Sequence, residues 1–127
     1  TYLFISHNLS VVQYFSDRVG VMYLGRLVEV GSVEQLYANP RHPYTRALLS
    51  VVPEVEEMEQ QILVGEAPDP TLIPDGCRFH PRCPLVASGE AARLGIEERC
   101  RGEDLELEPV GGGAASAHRA ACFAVSR

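Results

Sequence analysis

The sequence predicts an α/β fold, with regular structure in residues 1–53 and a small, loop-rich, cysteine-containing segment in residues 54–127. In the first segment, apolar runs of strand length and apolar spacings of helical period follow one another along the chain. All four cysteines and six of the nine prolines lie in the second segment. Proline interrupts helices and strands because its nitrogen cannot donate a hydrogen bond, so this composition favours loops.

The charge of the chain is unevenly distributed between these two segments. Seventeen acidic residues against eleven arginines give a formal net charge of −6, of which +1 belongs to residues 1–53 and −7 to residues 54–127. Nucleic-acid-binding proteins usually present a basic face, so we expect no nucleic-acid partner. No apolar run approaches the roughly 18 residues that cross a bilayer. The chain opens inside an apolar run, which we interpret as a cut through a larger protein.

The first predicted strand covers residues 2–5, an apolar run without alternation. Such a run is typical of a strand that is buried on both faces of a parallel sheet. Residues 6–8 end the run, and the apolar spacing of residues 9–15 predicts a helix directly after it.

A tight hairpin and a capped helix are predicted next. The strand-like runs cover residues 19–24 and 27–30, and Gly25-Arg26 joins them. Ser32 and Gln35 then match a capping box, in which Ser32 is the N-cap and Gln35 occupies the third helical position.

The helix that Ser32 caps should end at Asn39-Pro40. His42-Pro43 opens another helix, with proline at the first helical position. Pro53 should end this second helix, and its predicted apolar face comprises Tyr44, Ala47 or Leu48, and Val51. His42 and Tyr44 are interpreted as residues that pack at the start of the helix.

Less regular structure is predicted for the second segment. Residues 54–60 are an acidic stretch, which we interpret as a solvated helix or a linker. Three prolines favour extended backbone in residues 65–76. Residues 91–101 predict a short exposed helix, and the glycine- and alanine-rich tract at residues 111–117 predicts a flexible insert.

His7 is the first candidate functional residue, because it follows the first predicted strand at its carboxyl end. Ligands of open α/β sheets collect at the carboxyl ends of strands, where an imidazole is able to hydrogen-bond a phosphate. The alternative is a histidine whose nitrogens bind loop carbonyls, and position alone favours this alternative.

A second candidate site comprises the four cysteines Cys77, Cys83, Cys100 and Cys122. Their spacing contains no C-x2-C pair of a zinc ribbon and does not match a ferredoxin pattern. Cys77 and Cys83 still enclose His80 in a compact loop, and thiolates are good ligands for zinc and for iron–sulfur clusters. Spacing alone leaves a metal site, two disulfides and free thiols open. His80 and His118 are able to replace a thiolate in a zinc site, although such histidines more often lie behind the ligands or at the surface.

A series of motifs resembles one family. Residues 3–12, Leu-Phe-Ile-Ser-His-Asn-Leu-Ser-Val-Val, are similar to the switch-histidine segment of ABC-transporter ATPases. Residues 38–48, which contain Arg-His-Pro-Tyr-Thr, resemble the signature of ATPases from oligopeptide and dipeptide importers. Further stretches resemble the two strands after the switch histidine and the family's C-terminal extension, namely residues 17–29, 65–68, 76–84 and 118–122.

The resemblance implies a division of the chain and a role for His7. Residues 1–38 would be the C-terminal end of an ABC-type P-loop ATPase domain, and residues 39–127 the oligopeptide/dipeptide transporter C-terminal domain. His7 would be the switch histidine, which contacts the γ-phosphate of ATP and the attacking water. The family's Walker A, Walker B, Q-loop and signature motifs do not occur in these 127 residues, which alone are therefore expected to be inactive.

Two departures from the family's pattern accompany this resemblance. The switch segment often reads Thr-His-Asp in the family, whereas Ser6 and Asn8 flank the histidine here. Asn8 is still able to cap the following helix, so we expect activity to be unchanged. The tract at residues 111–117 is the second departure, because it has the character of a local insertion.

The resemblance also implies cofactors, partners and a location. ATP with Mg would be used by the intact protein, and the four cysteines would bind a four-iron four-sulfur cluster. The partners would be transmembrane permease subunits, a second ATPase subunit and, indirectly, a peptide-binding protein. The implied location is the cytoplasmic face of the inner membrane, as a peripheral subunit.

Two functions from different classes follow. The first is the C-terminal part of the ATP-binding subunit of a peptide ABC importer, which couples ATP hydrolysis to transmembrane peptide transport. The alternative is a free-standing regulatory module that binds an iron–sulfur cluster or zinc and has no ATPase activity. The two differ in whether a phosphate-binding loop belongs to the same protein.

Overall fold

Six short helices and a four-stranded antiparallel sheet make up the fold in a computed structural model that describes residues 1–52, 60–63, 65–66, 68–111 and 116–125. The helices are Leu9–Phe15 (α1), Val33–Ala38 (α2), Pro43–Leu49 (α3), Pro84–Ala87 (α4), Glu90–Arg93 (α5) and Glu97–Gly102 (α6). The strands are Arg18–Tyr23 (β1), Arg26–Ser32 (β2), Glu108–Pro109 (β3) and Arg119–Ala120 (β4). This mixture is consistent with the predicted α/β class.

Residues 2–5 form no strand in this structure, so the prediction of a buried first strand in a parallel sheet is wrong here. Tyr2 and Ile5 are each 98% exposed. A strand needs a neighbouring backbone to pair its N–H and C=O groups, and none of the described residues supplies one beside this run. The helix after it is confirmed as α1, whose N-cap Asn8 accepts a hydrogen bond from the backbone nitrogen of Val11 at 3.1 Å.

The predicted hairpin is confirmed, with its turn one residue earlier than expected. β1 and β2 pair antiparallel along their lengths, with a register shift between Val21 and Met22. Leu24 and Gly25 occupy the turn with φ of 46° and 76°. Two consecutive left-handed residues match the twist of the flanking strands, which is why the turn does not fall at Gly25-Arg26.

Both capped helices after the hairpin are confirmed. Ser32 Oγ accepts from the Gln35 backbone nitrogen at 3.2 Å, and Gln35 Oε1 accepts from the Ser32 backbone nitrogen at 2.9 Å. α2 then ends with Asn39 as its C-cap. α3 begins at Pro43, and its N-cap is His42, whose Nδ1 accepts from the backbone nitrogen of Tyr44 at 3.1 Å.

The buried face of α3 differs from the predicted one. Thr45, Ala47 and Leu49 are buried, and only Ala47 belongs to the predicted set. The helix ends at Leu49, so Val51 lies beyond it and is 57% exposed. The prediction fails at the C-terminal end of α3 because it extended the helical spacing of apolar residues to Val51, beyond the last helical residue.

The helix predicted at residues 91–101 is divided into α5 and α6. Gly95 lies between them with φ of 68°, a left-handed conformation that ends α5 and turns the chain. Ala91 and Ile96 are almost fully buried, which contradicts the prediction of an exposed helix. Across the turn, the backbone nitrogen of Ile96 donates to the carbonyl of Ala91 at 2.9 Å, and both side chains belong to one apolar core.

Several predictions fall outside the described residues. They are most of the acidic stretch at residues 54–60 and most of the tract at residues 111–117, whereas the predicted helix end at Pro53 is wrong because α3 already ends at Leu49 with Ser50 as its C-cap. Within the described ranges, no helix is long and apolar enough to span a membrane.

The sheet joins distant parts of the chain in the order β1-β2-β4-β3. β4 pairs antiparallel with β2, so that Glu29 lies opposite Ala120, and β3 pairs antiparallel with β4. The hairpin and the C-terminal segment therefore share one sheet. The guanidinium of Arg26 also forms an ion pair with Asp104, which ties the start of β2 to the chain after α6.

Two small apolar cores hold the described residues together. In the first core, Tyr23 and Val28 of the hairpin pack around Phe79, with Cys77 and Cys83 at its edge. In the second core, the buried residues are Ala91, Ile96 and Phe123, and Cys100 and Leu105 are among the residues that pack against them. Three of the four cysteines thus belong to the margins of these two cores.

Candidate functional site

All four cysteines line one apolar cavity between the two cores. Cys77 and Cys83 come from the loop and 3-10 turn before α4, Cys100 from α6 and Cys122 from the chain after β4. The cavity has a volume of about 20 Å³, close to that of a site for one water molecule. None of the four cysteines forms a disulfide. The fold therefore brings together the four residues that the sequence singled out.

Backbone contacts hold Cys77 against Cys100. The backbone nitrogen of Cys77 donates to the carbonyl of Cys100 at 2.9 Å. Gly76 makes this approach possible, because a Cβ at that position would stand 2.7 Å from the carbonyl oxygen of Cys100. Gly76 also has φ of 66°, which glycine adopts without strain.

Burial raises the pKa of all four thiols. The pKa of Cys100 rises to about 11 and that of Cys122 to about 12, mainly because burial disfavours the thiolate. Burial likewise raises the pKa of Cys77 and Cys83. In the absence of a bound cation the thiols are therefore protonated at neutral pH and weakly nucleophilic.

The cysteines are not arranged around a single metal ion. Within the part of the chain that the structure describes, no three histidine, cysteine, aspartate or glutamate side chains are grouped tightly enough to hold one. His80 lines the cavity, and its Nδ1 lies 2.9 Å from the carbonyl oxygen of Cys77. His118 does not line the cavity, because its imidazole is bound to Glu29.

Glu29 is a buried charged residue that the sequence analysis did not single out. Its carboxylate has no solvent exposure. Oε1 accepts from the backbone nitrogen of Arg41 at 2.8 Å and from Nε2 of His118 at 2.6 Å, and Oε2 accepts from the backbone nitrogen of His42 at 2.8 Å. The only signal in the sequence is one acidic residue inside the apolar run of β2, because the partners of that residue are distant along the chain.

The start of α3 forms another wall of the cavity. His42 and Pro43 line it, and the imidazole of His42 lies 5.7 Å from the ring of Phe79, centroid to centroid. Tyr44 also packs against Phe79, at 5.3 Å between centroids. Burial lowers the pKa of His42 to about 4, so this imidazole is neutral. The interpretation of His42 and Tyr44 as residues that pack at the start of the helix is confirmed.

His7 lies away from the cavity, in an exposed bend directly before the N-cap of α1. Its imidazole forms no hydrogen bond or ion pair with any other described residue. The neighbouring Asn8 does cap α1, so the helix begins immediately after the histidine.

Comparison with known proteins identifies relatives in transport. The family described as the C-terminal region of the oligopeptide/dipeptide transporter matches residues 28–89. A di/tripeptide transport ATP-binding protein of Pseudomonas aeruginosa is 45% identical over 125 residues, which cover 96% of this chain and 36% of that protein. An oligopeptide transport ATP-binding protein of Bacillus subtilis is 56% identical over 91 residues, 68% of this chain and 28% of that protein.

A third relative is a dipeptide transport ATP-binding protein of Haemophilus influenzae. It is 52% identical over 86 residues, which cover 65% of this chain and 26% of that protein. The chain thus spans about a quarter to a third of the length of these relatives. The family match at residues 28–89 includes the start of α3, which is one wall of the cysteine cavity.

Proposed function

We propose that this chain forms the C-terminal part of the ATP-binding subunit of a peptide ABC importer, because the C-terminal region of the oligopeptide/dipeptide transporter matches residues 28–89. The observation that carries the proposal is the 45% identity to a di/tripeptide transport ATP-binding protein over 96% of this chain. The intact subunit would couple ATP hydrolysis to transmembrane peptide transport. The names of the three relatives describe ATP-binding transport proteins, and this favours the importer over a free-standing regulatory module.

His7 would act at the γ-phosphate of ATP and at the attacking water in the intact subunit, with Mg bound to the nucleotide. Its exposed position directly before the N-cap of α1 supports this role. Phosphoryl transfer depends on positioning and charge stabilisation, which a neutral or cationic imidazole supplies. In this proposal residues 1–38 end the ATPase domain, and residues 39–127 form the C-terminal domain.

The four cysteines would bind a four-iron four-sulfur cluster. Their convergence on one apolar cavity supports this proposal, and so does the softness of thiolate ligands, which suits iron–sulfur clusters. The cavity of about 20 Å³ would have to enlarge to admit the cluster, so the side chains that line it would move apart on binding. The positive charge of the iron atoms would also stabilise the thiolates, which burial otherwise disfavours.

The partners of the intact subunit would be those of an ATP-driven importer. They would be the transmembrane permease subunits, a second ATPase subunit and, indirectly, a peptide-binding protein. The subunit would work at the cytoplasmic face of the inner membrane, as a peripheral component. The transport descriptions of the three relatives support this assignment.

The coding sequence upstream of Thr1 tests the importer directly. It should encode a lysine-bearing phosphate-binding loop and, after it, an apolar strand that ends in acidic residues. An unrelated domain in that frame would contradict the importer and favour the regulatory module.

Substitution of His7 tests its role in the intact protein. We expect H7A to retain ATP binding and to lose most ATP turnover, because the imidazole acts on the reacting phosphate rather than on the rest of the nucleotide. N8D is the matched control, since aspartate also caps α1 and should leave turnover close to that of the unsubstituted protein. Unchanged turnover in H7A, measured by phosphate release, would remove the assigned role.

Purification without oxygen tests the cluster. The intact protein should be brown and contain about four iron atoms per chain, as a four-iron cluster requires. Elemental analysis decides between the metals. Stoichiometric zinc without iron, or no metal, would contradict the cluster while leaving the importer assignment in place.

A further inference from the structure

Glu29 joins two segments that are far apart in the sequence. Its carboxylate accepts hydrogen bonds from the backbone at the start of α3 and from the imidazole of His118, 89 residues further along the chain. The carboxylate is fully buried, and His118 is 5% exposed. The distance of 2.6 Å between Nε2 of His118 and Oε1 of Glu29 is at the short end for a hydrogen bond between nitrogen and oxygen.

The path from His118 to Cys122 is short and lies along β2. β4 follows His118 directly, and Ala120 of β4 lies opposite Glu29. The backbone nitrogen of Ala121 then donates to the carbonyl of Val28 at 2.8 Å. Cys122 is the next residue, and it lines the cavity. The position of Cys122 therefore depends on the register in which this segment pairs with β2.

The pairing of β4 is too short to define that register by itself. β4 contains only two residues. Successive side chains of a strand point to opposite faces of the sheet, so every second residue lies on the same face. A slip of one residue would turn the side chains of this segment to the opposite face of the sheet. His118 would then leave Glu29, and the thiol of Cys122 would leave the cavity.

The sheet also leaves room for the imidazole at one place. A Cβ at Gly31 would stand 3.1 Å from Cδ2 of His118, closer than an ordinary contact. The same Cβ would stand 2.5 Å from Cδ1 of Leu36, so the missing side chain at Gly31 leaves room for Leu36 as well as for the ring of His118. The same carboxylate that holds this ring also accepts from the backbone nitrogen of His42, whose side chain lines the cavity.

We infer that Glu29 and His118 are positioning residues for Cys122: their buried contact sets the register of the C-terminal segment and so places the fourth thiol at the cavity. Neither residue touches the cavity contents in this arrangement. Glu29, on β2, holds the imidazole of His118. The position of His118 in turn fixes the position of the four residues that follow it, the last of which is Cys122. The same carboxylate also holds the start of α3, so one buried group sets two walls of the cavity.

Thiol labelling tests the inference without reference to any metal. In the intact protein, treated with a chelator and kept reduced, each cysteine is alkylated under native conditions and quantified by mass spectrometry. H118L removes the donor to Glu29 at similar volume, and we expect labelling of Cys122 to rise about tenfold, while labelling of Cys77 and Cys83 stays unchanged. H118Q supplies an amide donor to Glu29 and should restore the slow labelling of Cys122.

A second substitution allows for the chance that H118L does not fold, since it leaves a buried carboxylate with one partner fewer. E29Q/H118L keeps one amide oxygen as an acceptor for one of the backbone nitrogens of Arg41 and His42, and it removes the side-chain contact between positions 29 and 118. It should expose Cys122 in the same way. Equal labelling of Cys122 in folded H118L, E29Q/H118L and unsubstituted protein would overturn the inference, as would an equal rise at all four cysteines.

The iron content gives a further measurement, which rests on the cluster proposed above. In protein purified without oxygen, H118L should show the same loss of iron and the same altered absorbance as C122S, and H118Q should match the unsubstituted protein. The double substitution H118L/C122S should add no further loss, because both changes remove the same ligand. A full, unaltered cluster in H118L would overturn the inference, whereas an unsubstituted protein without iron would overturn the cluster and leave the labelling result to decide the role of His118.

Discussion

Several residues of this structure have their main contacts with residues that are distant in the sequence. Glu29 lies in the middle of an apolar strand and yet is fully buried, because two backbone nitrogens and an imidazole satisfy its carboxylate. Gly76 is required by the backbone of Cys100, which lies against it. His42 combines the cap of α3 with one wall of the cavity.

Gly76→Ala should destabilise the protein and loosen the contact between Cys77 and Cys100. A Cβ would lie 2.7 Å from the backbone of Cys100 and Arg101, and these backbone atoms cannot swing away as a side chain does. We expect a loss of about 2 to 4 kcal/mol in the free energy of unfolding, measured by chemical denaturation.

Gly89→Ala is the matched control for Gly76. Gly89 has φ of 76°, close to that of Gly76, but a Cβ there would meet no atom within 4 Å. Gly89→Ala should therefore lose only about 1 kcal/mol in the free energy of unfolding, the cost of an alanine in a left-handed conformation. Equal losses in the two variants would mean that the contact with Cys100 does not matter.

His42 should make stability fall in mild acid. Its pKa is about 4 in the folded protein because burial disfavours the imidazolium, against 6.5 as the ordinary value. The unfolded chain therefore binds the proton more readily, and the contribution is complete above pH 6.5 and is lost progressively as the pH falls from 6.5 to 4. The size of this contribution is about 3 kcal/mol.

Asparagine at position 42 provides the comparison. His42→Asn keeps a side-chain acceptor at the N-cap and removes the ionisable group. The difference in unfolding free energy between the two proteins should change with pH between 6.5 and 4, as measured by urea denaturation at several pH values. A constant difference over that range would show that His42 is not buried as a neutral group.

At the scale of elements, the sequence predicts a helix end or a turn correctly where all the residues that form it are close together in the chain. The capping box of α2 and the proline at the start of α3 lie within a few residues of their partners, and both are confirmed. The hairpin is also local, although its turn falls at Leu24-Gly25. The helix predicted at residues 91–101 fails because Gly95 has a left-handed conformation that the apolar spacing does not reveal.

Removal of the cap of α2 should have a small, measurable cost. Ser32→Ala loses the acceptor for the backbone nitrogen of Gln35, and we expect a loss of about 1 kcal/mol in unfolding free energy. Ser32→Asp should retain most of the stability, since aspartate is also a good N-cap.

Ser88→Ala is the corresponding control, because the hydroxyl of Ser88 is exposed and its contacts are long, 3.4 and 3.5 Å. Both substitutions remove one hydroxyl from a loop or cap position. Thermal unfolding should separate them clearly, and a loss in S88A as large as that in S32A would contradict the role of the cap.

At the scale of the whole molecule, the described part of the chain is held together by a few long-range contacts between short elements. β3 and β4 have two residues each, and strands of that length are not stable alone. They are held by β2, by the Glu29–His118 contact and by the second core around Phe123. The cysteine cavity lies where these contacts meet, between the two cores.

The sequence by itself determined the local elements and the candidate residues. Caps, turns and apolar spacing depend on neighbours within a few positions. The four cysteines, His7 and the family's motifs are identified directly from the sequence. The role of His7 as a phosphate contact and the binding of a cluster stay predictions. The buried strand at residues 2–5 was wrong in this structure because strand formation depends on a neighbouring backbone, which an apolar run does not itself provide.

Only the tertiary structure decided which distant groups meet. Cys77 and Cys122 are separated by tens of residues, and only the packing of two cores and the pairing of β4 with β2 bring them to one cavity. The contact between Glu29 and His118 likewise joins residues that are 89 positions apart in the chain. Such contacts depend on the register and packing of segments far apart in the chain, and no short stretch of sequence carries that information.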